Sequence, residues 1–563
     1  MLNIFESFKK IRTNKKVKPV LNTNKSRAAQ MIEILQPKPE EKIKGKIKTG
    51  KRKYKYPEFR ISSHKKLFFL PDRFPLRYPL IEPYAYALIK KDPIKGVLTY
   101  NIIEPVMSDD ERYIIDKIKQ GLIQTINVSL TAIRHEKRLT SFLEERVQRV
   151  LDEYGFSLTP QQYLKIMYYI HRDFVGLNEI EPLLHDPYIE DLGVDGVNTP
   201  LYVVHQKFGS VKTNIIFSDM EKLREFVIKL AERCDRYISY AEPLLDGTLP
   251  DGTRVQATLA SDITTRGPTF SIRKFRVEPF TPTDMVRLRT VSAELLAYLW
   301  YIIESRANIL ITGGTATGKT SFLNTISMFI PIEAKIVSIE DTKELSLPHE
   351  HWIPGVARAS FTGTKVGEVT MFDLLKESFR QNPDYLIVGE VRGKEAYVMF
   401  QSMASGHASM STIHAASLDD VVKRLESPPI ELSPSLLETL DVVIVMTHAT
   451  EKGKSARRVK EVVEIQEVDK NTGKANAVKA FSWSPVDDEI KYKGYSWVLN
   501  KISIKKGIPI SKIYHEIKQR KAFIEWLVKH GVKSMKDVSK YITMYNKSKK
   551  KMLSMITEET GGF

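Results

Sequence analysis

Apolar and polar positions change their period along the chain, and the changes divide it. Residues 1–66 are Lys-rich and thin in apolar side chains, with KIKGKIKTGKRKYKYPEF near their end. Such a segment buries too little surface to fold alone and reads as a basic arm. Within it, Leu2, Ile4, Phe5 and Phe8 beside Lys9, Lys10 and Arg12 suit a short amphipathic turn. Residues 67–135, rich in Pro, Tyr and Ile, read as strand and loop. Ser141 and Glu144 have capping-box spacing and predict a helix opening there and running to about Tyr154. Thr159-Pro160-Gln161-Gln162 predicts a second. The runs IEDLGV, PLYVVHQ and SVKTNIIF predict strands, and Asp195-Gly196 and Asp251-Gly252 supply hairpin turns. An α+β unit ends near Phe275, followed by a Pro-containing hinge from Val277 to Thr283.

From residue 284 the period changes again. Ser292 is placed to cap a helix to about Ser305. ANILITG is a strand that enters a glycine turn, and a helix is expected from Lys319 to Phe329. KIVSIE, YLIVGE, SMSTIH and DVVIVM are apolar runs separated by helical segments. This alternation predicts a parallel sheet covered by helices. Two strands, VKEVVEIQEV and NAVKAFSW, read as an added hairpin, and the last sixty residues as two basic amphipathic helices. The expected architecture is therefore α/β for residues 291–563, preceded by an α+β domain over 67–278, a hinge over 279–290 and the arm over 1–66.

Composition narrows the function. With 563 residues the chain has room for about three or four domains. The single cysteine, Cys234, excludes a disulfide framework and a Cys-cluster zinc site, and points to a reducing, cytosolic compartment. The longest apolar stretch, Ala293 to Ile303, carries Glu294 and is too short to span a bilayer, which takes about 20 residues. The net charge of +18 suggests nucleic acid until it is located. Residues 1–66 hold 20 Lys/Arg against 5 Asp/Glu, a net of +15, which leaves +3 for the other 497. The basic character belongs to the arm, and a DNA-binding body is not expected.

Gly313-Gly314-Thr315-Ala316-Thr317-Gly318-Lys319-Thr320 fits the phosphate-binding loop pattern without a gap, with Ser321 next. The glycines let backbone N–H groups converge on phosphate oxygens, and the helix that follows adds its dipole. Lys319 would reach the β- and γ-phosphates of ATP, and the Thr320 hydroxyl would hold Mg²⁺. The loop also needs acidic residues. Glu340 or Asp341 after KIVSI and Glu390 after YLIVG stand at the carboxyl ends of expected parallel strands, where side chains reach the ligand crevice. His407 and His414 flank a strand of small and hydroxyl residues, placed to sense a γ-phosphate or pass a signal across an interface. No Asn-Lys-x-Asp or LSGGQ-like stretch occurs, which disfavours a GTPase or an ABC-type ATPase.

The stretch from Arg380 through Pro383, Asp384, Gly389 and Glu390 to Arg392 resembles the signature of the secretion ATPases of the type II and type IV pilus class. IEDTKEL at 339–345 resembles their Asp box and GHASMSTIHA at 406–415 their His box, all in the family's order. IEDLGVDGVNTPLYVVHQKFG and RGPTFSIRKF resemble the archaeal branch, which includes pilus and archaellum motors. Arg392-Gly393 in place of Arg-Asp, and the want of a four-cysteine module, point the same way. The resemblance implies a RecA-like ATPase domain in a homohexamer, at the cytoplasmic face of the membrane beneath an integral platform protein. It implies Glu340 as the base that activates water, and Glu390 as the residue that positions Mg²⁺ and water. Across the cleft it implies basic residues, with Arg254 and Arg266 ranked first and Arg273 and Arg380 after them. The arm is expected to meet an anionic membrane surface. A DNA-transfer or DNA-translocating motor on the same fold is the alternative. Lys319, Thr320 and Glu390 together argue against a nucleotide-gated scaffold without turnover.

Overall fold

The computed structural model describes residues 56–560, apart from 64–69, 72, 95, 126–135, 276–277, 359–366, 452–453 and 470–474. Most of the basic arm, its amphipathic turn and the start of the expected hinge therefore lie outside the described residues. The end of the arm does not: Phe59 is buried, its N–H donates to Glu144 Oε1 at 2.7 Å, and β1 (Ser62–Ser63) pairs with β2 (Leu76–Glu82).

Among the described residues the strands form two sheets. In the first, β3 (Ala85–Lys91) and β4 (Leu98–Ile103) extend the meander from β2. It continues through β5 (Ile189–Val194), β6 (Pro200–His205), β7 (Gly209–Ile216), β8 (Leu244–Thr248), β9 (Arg254–Thr258) and β10 (Thr269–Arg273). The order is β1-β2-β3-β4-β7-β6-β5-β10-β9-β8. Strands such as β6 and β8 alternate buried and outward positions, as in a half-buried sheet, and neighbours run antiparallel except β4 and β7, which are parallel. Arg254 and Arg273 are direct cross-strand partners and share one face. The Asp195-Gly196 and Asp251-Gly252 turns join β5 to β6 and β8 to β9 as expected.

The helices of this half correct two expectations. Asp109–Thr125 is helical where strand or loop was expected. Its start is a capping box: the Ser108 N–H donates to Glu111 Oε2 at 2.8 Å and the Glu111 N–H to Ser108 Oγ at 3.3 Å. Glu136–Tyr154 begins before Ser141. The buried positions Leu139, Leu143, Val147 and Val150 carry the helical stripe upstream, and Glu144 serves Phe59 rather than a cap. The Thr159 box is present and opens Pro160–Phe174.

The second sheet comprises β11 (Ile309–Gly313), β12 (Ile336–Glu340), β13 (Trp352–Val356), β14 (Tyr385–Val388), β15 (Ala408–Ile413), β16 (Val442–Glu451), β17 (Lys454–Val468), β18 (Ala475–Ser484) and β19 (Glu489–Tyr492). Its order is β13-β12-β14-β15-β11-β16-β17-β18-β19, parallel from β13 to β16 and antiparallel beyond. The added hairpin is thus a three-stranded extension. β11, β12, β14 and β15 are buried at every position, which is why they read as unbroken apolar runs.

Ser292 caps Ala293–Glu304, a helix buried on nearly all sides. Its Trp300 stacks on Phe329 at 5.4 Å and meets Phe523 and Tyr545. Those last two residues belong to the C-terminal helices Trp497–Lys506, Ile510–Lys529, Met535–Lys547 and Lys549–Thr560, so the last sixty residues hold three helices and the end of a fourth rather than two. Gly507, in the left-handed region, and Pro509 break the first from the second. Residues 491–563 carry 17 Lys/Arg against 5 Asp/Glu. The near-neutral total for 67–563 therefore joins a basic helical end to an acidic remainder. None of the helices among the described residues is long and apolar enough to cross a membrane.

Candidate functional site

Five neighbouring strands end at one rim of the second sheet, and most of the candidate chemistry is there. β11 enters the glycine turn at Gly313, and the helix Lys319–Ser327 leaves it, with Gly318 at its N-cap in the left-handed region. A Cβ at Gly313 would lie 2.6 Å from Thr317 Oγ1 and 2.7 Å from the Met446 carbonyl oxygen, so only glycine fits against β16. Ala316 also has positive φ, at 58°. Lys319 Nζ lies over the turn and donates to the Gly313 and Gly314 carbonyls, both at 3.1 Å. Burial lowers its pKa, and the Glu390 carboxylate opposes that shift.

Glu340 ends β12, and Gly389-Glu390 follows the adjacent β14. The register sets Ile339 beside Val388, and a Cβ on Gly389 would lie 3.2 Å from Glu340 Cγ. Glu340 is 1% exposed. Its Oε1 accepts the Glu344 and Leu345 N–H groups, both at 2.9 Å, while Oε2 has no partner. Burial pushes its pKa up to about 7, and the two N–H bonds restrain the rise. Glu390 is more open and accepts from Arg392 Nη2 at 2.8 Å, which raises the Arg392 pKa. His414 follows β15, whose Ile413 pairs with Thr312 just before the turn.

The first sheet contributes from its outward face. Arg254 Nη2 lies 3.7 Å from Asp341 Oδ2 on the loop after Glu340. Arg273, its cross-strand partner, donates to Asp191 Oδ1 at 2.9 Å. That bond holds the Arg273 pKa up, with Glu344 adding a smaller share.

Three candidates are not brought to this rim within the chain. Arg266 is exposed at the far end of the β9–β10 hairpin, its carbonyl accepting from Val197 N–H at 2.9 Å. His407 precedes β15, at the amino end of the sheet, roughly 20 Å of strand from His414 at about 3.3 Å per residue. Arg380 lies at that same amino end, just before β14, and pairs with Glu377 at 3.3 Å in solvent. Phe379 beside it meets the His407 ring edge-on at 6.2 Å. The two histidines flank the strand as expected, and its six residues send them to opposite ends of the sheet.

Other residues at the rim had no motif to mark them. His448 Nε2 donates to the Thr315 carbonyl at 3.0 Å, and Arg457 Nε reaches the Ala316 carbonyl at 3.4 Å. The two face each other across β16 and β17 and brace the turn from the side. On the β15 side a cleft of about 650 Å³ is lined by Gly314, Arg392, His414, Lys423 and Arg424, with Asp420. Its excess of basic side chains suits an anion beside the glycine turn.

This rim gathers a glycine turn under a lysine, two carboxylates and an arginine at the end of a parallel sheet. The model of the type II/IV secretion system protein family matches residues 178–539, and the chain belongs to that family. An uncharacterized protein of Methanocaldococcus jannaschii is 34% identical over 510 residues, covering 86% of this chain and 91% of its own. The type IV secretion system protein PtlH of Bordetella pertussis is 30% identical over 275 residues, 42% of this chain and 79% of its own. Among solved structures, the pilus retraction motor PilT with bound ADP is 15% identical and covers 63% of this chain and 93% of its own, with a TM-score of 0.36.

Proposed function

We propose that the chain is an ATP-hydrolysing motor of a secretion or pilus-type machine. The observation that carries this is the meeting of Lys319, Glu340 and Glu390 at the ends of neighbouring strands, with Arg254 reaching the same loop from the other sheet. Family membership supports the secretion role. In this account residues 291–563 form a RecA-like ATPase domain and 67–278 the domain before it, joined through 279–290.

Lys319 and the N–H groups of Gly313 to Thr320 hold the phosphates. The Thr320 hydroxyl and Glu390 carboxylate are hard oxygen donors, suited to Mg²⁺ that keeps phosphate oxygens and waters as its other ligands. The ion would neutralise phosphate charge. Glu340 takes the proton as water oxygen bonds to the γ-phosphorus and the bond to the β–γ bridging oxygen breaks. A carboxylate with pKa about 7 is matched to that task at neutral pH. Arg254, released from Asp341, neutralises charge that develops on the γ-phosphoryl group.

Arg266, Arg380 and His407 stand away from the rim of their own chain, which supports a site completed by a second copy in a homohexamer. The motor would work at the cytoplasmic face of the membrane against an integral platform protein. The test is phosphate release by the full chain with ATP. Turnover in Mg²⁺ that stops on chelation supports the proposal; no turnover in Mg²⁺ at any protein concentration overturns it.

A further inference from the structure

Asn324 lies on the helix Lys319–Ser327, four residues after Thr320 and so on the same face one turn along. It is 2% exposed. Its Oδ1 accepts the Ser346 N–H at 2.9 Å, and its Nδ2 has no partner. The Ser346 donor fixes which end of the carboxamide is oxygen. Ser346 is the residue after Leu345, whose N–H, with that of Glu344, is held by Glu340 Oε1. Three consecutive N–H groups of one loop are thus divided between Glu340 and Asn324. Glu340 Oε2, like Asn324 Nδ2, is buried without a partner. A buried amide with an unused donor costs stability that an apolar side chain of similar size would not. Packing alone does not explain it.

We propose that Asn324 is a positioning residue for Glu340. Its carboxamide ties the loop 341–346, which grips the carboxylate, to the helix that begins with Lys319 and Thr320. A change at the head of that helix is then passed through Asn324 and Ser346 to the orientation of Glu340. Removing Asn324 leaves the phosphate-binding turn whole but loosens the Glu344 and Leu345 N–H bonds that restrain the Glu340 pKa. This rests on Glu340 as the base.

The experiment is steady-state ATP hydrolysis by the full chain, Asn324→Ala and Asn324→Asp, from pH 5.5 to 9, with thermal unfolding of each. The charges that act on Glu340 are Lys343 and Glu344 on its loop; Asp341 follows it with Arg254 opposite, and Lys319, Glu390 and Arg392 stand elsewhere at the rim. All are unchanged in the variants. Asn324→Ala should lower kcat at pH 8 by tenfold or more, keep KM for ATP within threefold, and move the acid-side midpoint up by at least half a pH unit. Asn324→Asp keeps an acceptor for the Ser346 N–H, so its kcat at pH 9 should exceed that of Asn324→Ala by threefold or more. Its midpoint should lie higher still, because a second carboxylate disfavours the charge on Glu340. Parent-like kcat and midpoint in Asn324→Ala would overturn the proposal. So would kcat, KM and unfolding temperature failing together in both variants, which marks a packing role. A parent protein without turnover would instead overturn the function proposed above.

Discussion

Glu340→Gln separates the energetic and chemical roles of one carboxyl group. The side chain keeps its shape and its Oε1 acceptor for the Glu344 and Leu345 N–H groups, and it loses the charge. In the folded protein the Glu340 pKa is about 7, against an ordinary 4.5. Below pH 4.5 both folded and unfolded states hold the proton. Between 4.5 and 7 the unfolded chain releases it and the folded chain keeps it, so stability falls as pH rises, by about 1.4 kcal/mol per unit. Over that window the loss is about 3 kcal/mol, complete once pH passes the folded pKa. The Gln variant has no such loss. Relative to the parent it should gain about 3 kcal/mol between pH 4.5 and 8. For a domain of about 250 residues this is a relative gain of roughly 6 °C in unfolding temperature. At pH 8 the same variant should hydrolyse ATP at least about 100-fold more slowly, as expected when a general base is removed. Its ATP affinity should stay within threefold. Scanning calorimetry at both pH values and a phosphate-release assay read the two effects. An unfolding difference independent of pH, or turnover within tenfold of the parent, would refute the reasoning.

Arg254→Ala should lower kcat by about tenfold or more through loss of transition-state neutralisation, while breaking its long contact with Asp341 costs little stability; a matched pair of steady-state curves checks this. Specific activity should rise with protein concentration, and Arg380→Ala should depress activity only at concentrations where the chain assembles, as read by light scattering beside the rate. Deleting residues 1–55, which spares the buried Phe59 and strand β1, should abolish co-sedimentation with anionic vesicles at low salt and leave unstimulated hydrolysis in place. Equal sedimentation of both forms would remove the membrane role of the arm.

The glycine turn and the strands around it were legible because a buried parallel strand must be apolar throughout and the turn must be glycine-rich. Glu340 and Glu390 were found by their place at strand ends. Arg266, Arg380 and His407 stand away from that rim within the chain, and spacing along the sequence does not tell whether such residues serve their own copy's site or a neighbour's. Asn324, His448 and Arg457 act through loop backbone, and contacts of that kind leave no period in the sequence. The helix Asp109–Thr125 was missed although Ser108 and Glu111 carry a capping signal, because Pro- and Tyr-rich surroundings masked it.

The most direct test of the central claim is ATP turnover by Lys319→Ala in the full chain. Lys319 Nζ lies over the Gly313 and Gly314 carbonyls of the glycine turn, and removing it takes away the charge that would meet the β- and γ-phosphates. Loss of hydrolysis to a few per cent of the parent rate, with weakened ATP binding and an unchanged unfolding temperature, is the predicted result. Turnover within twofold of the parent would contradict the assignment of this rim as the catalytic site.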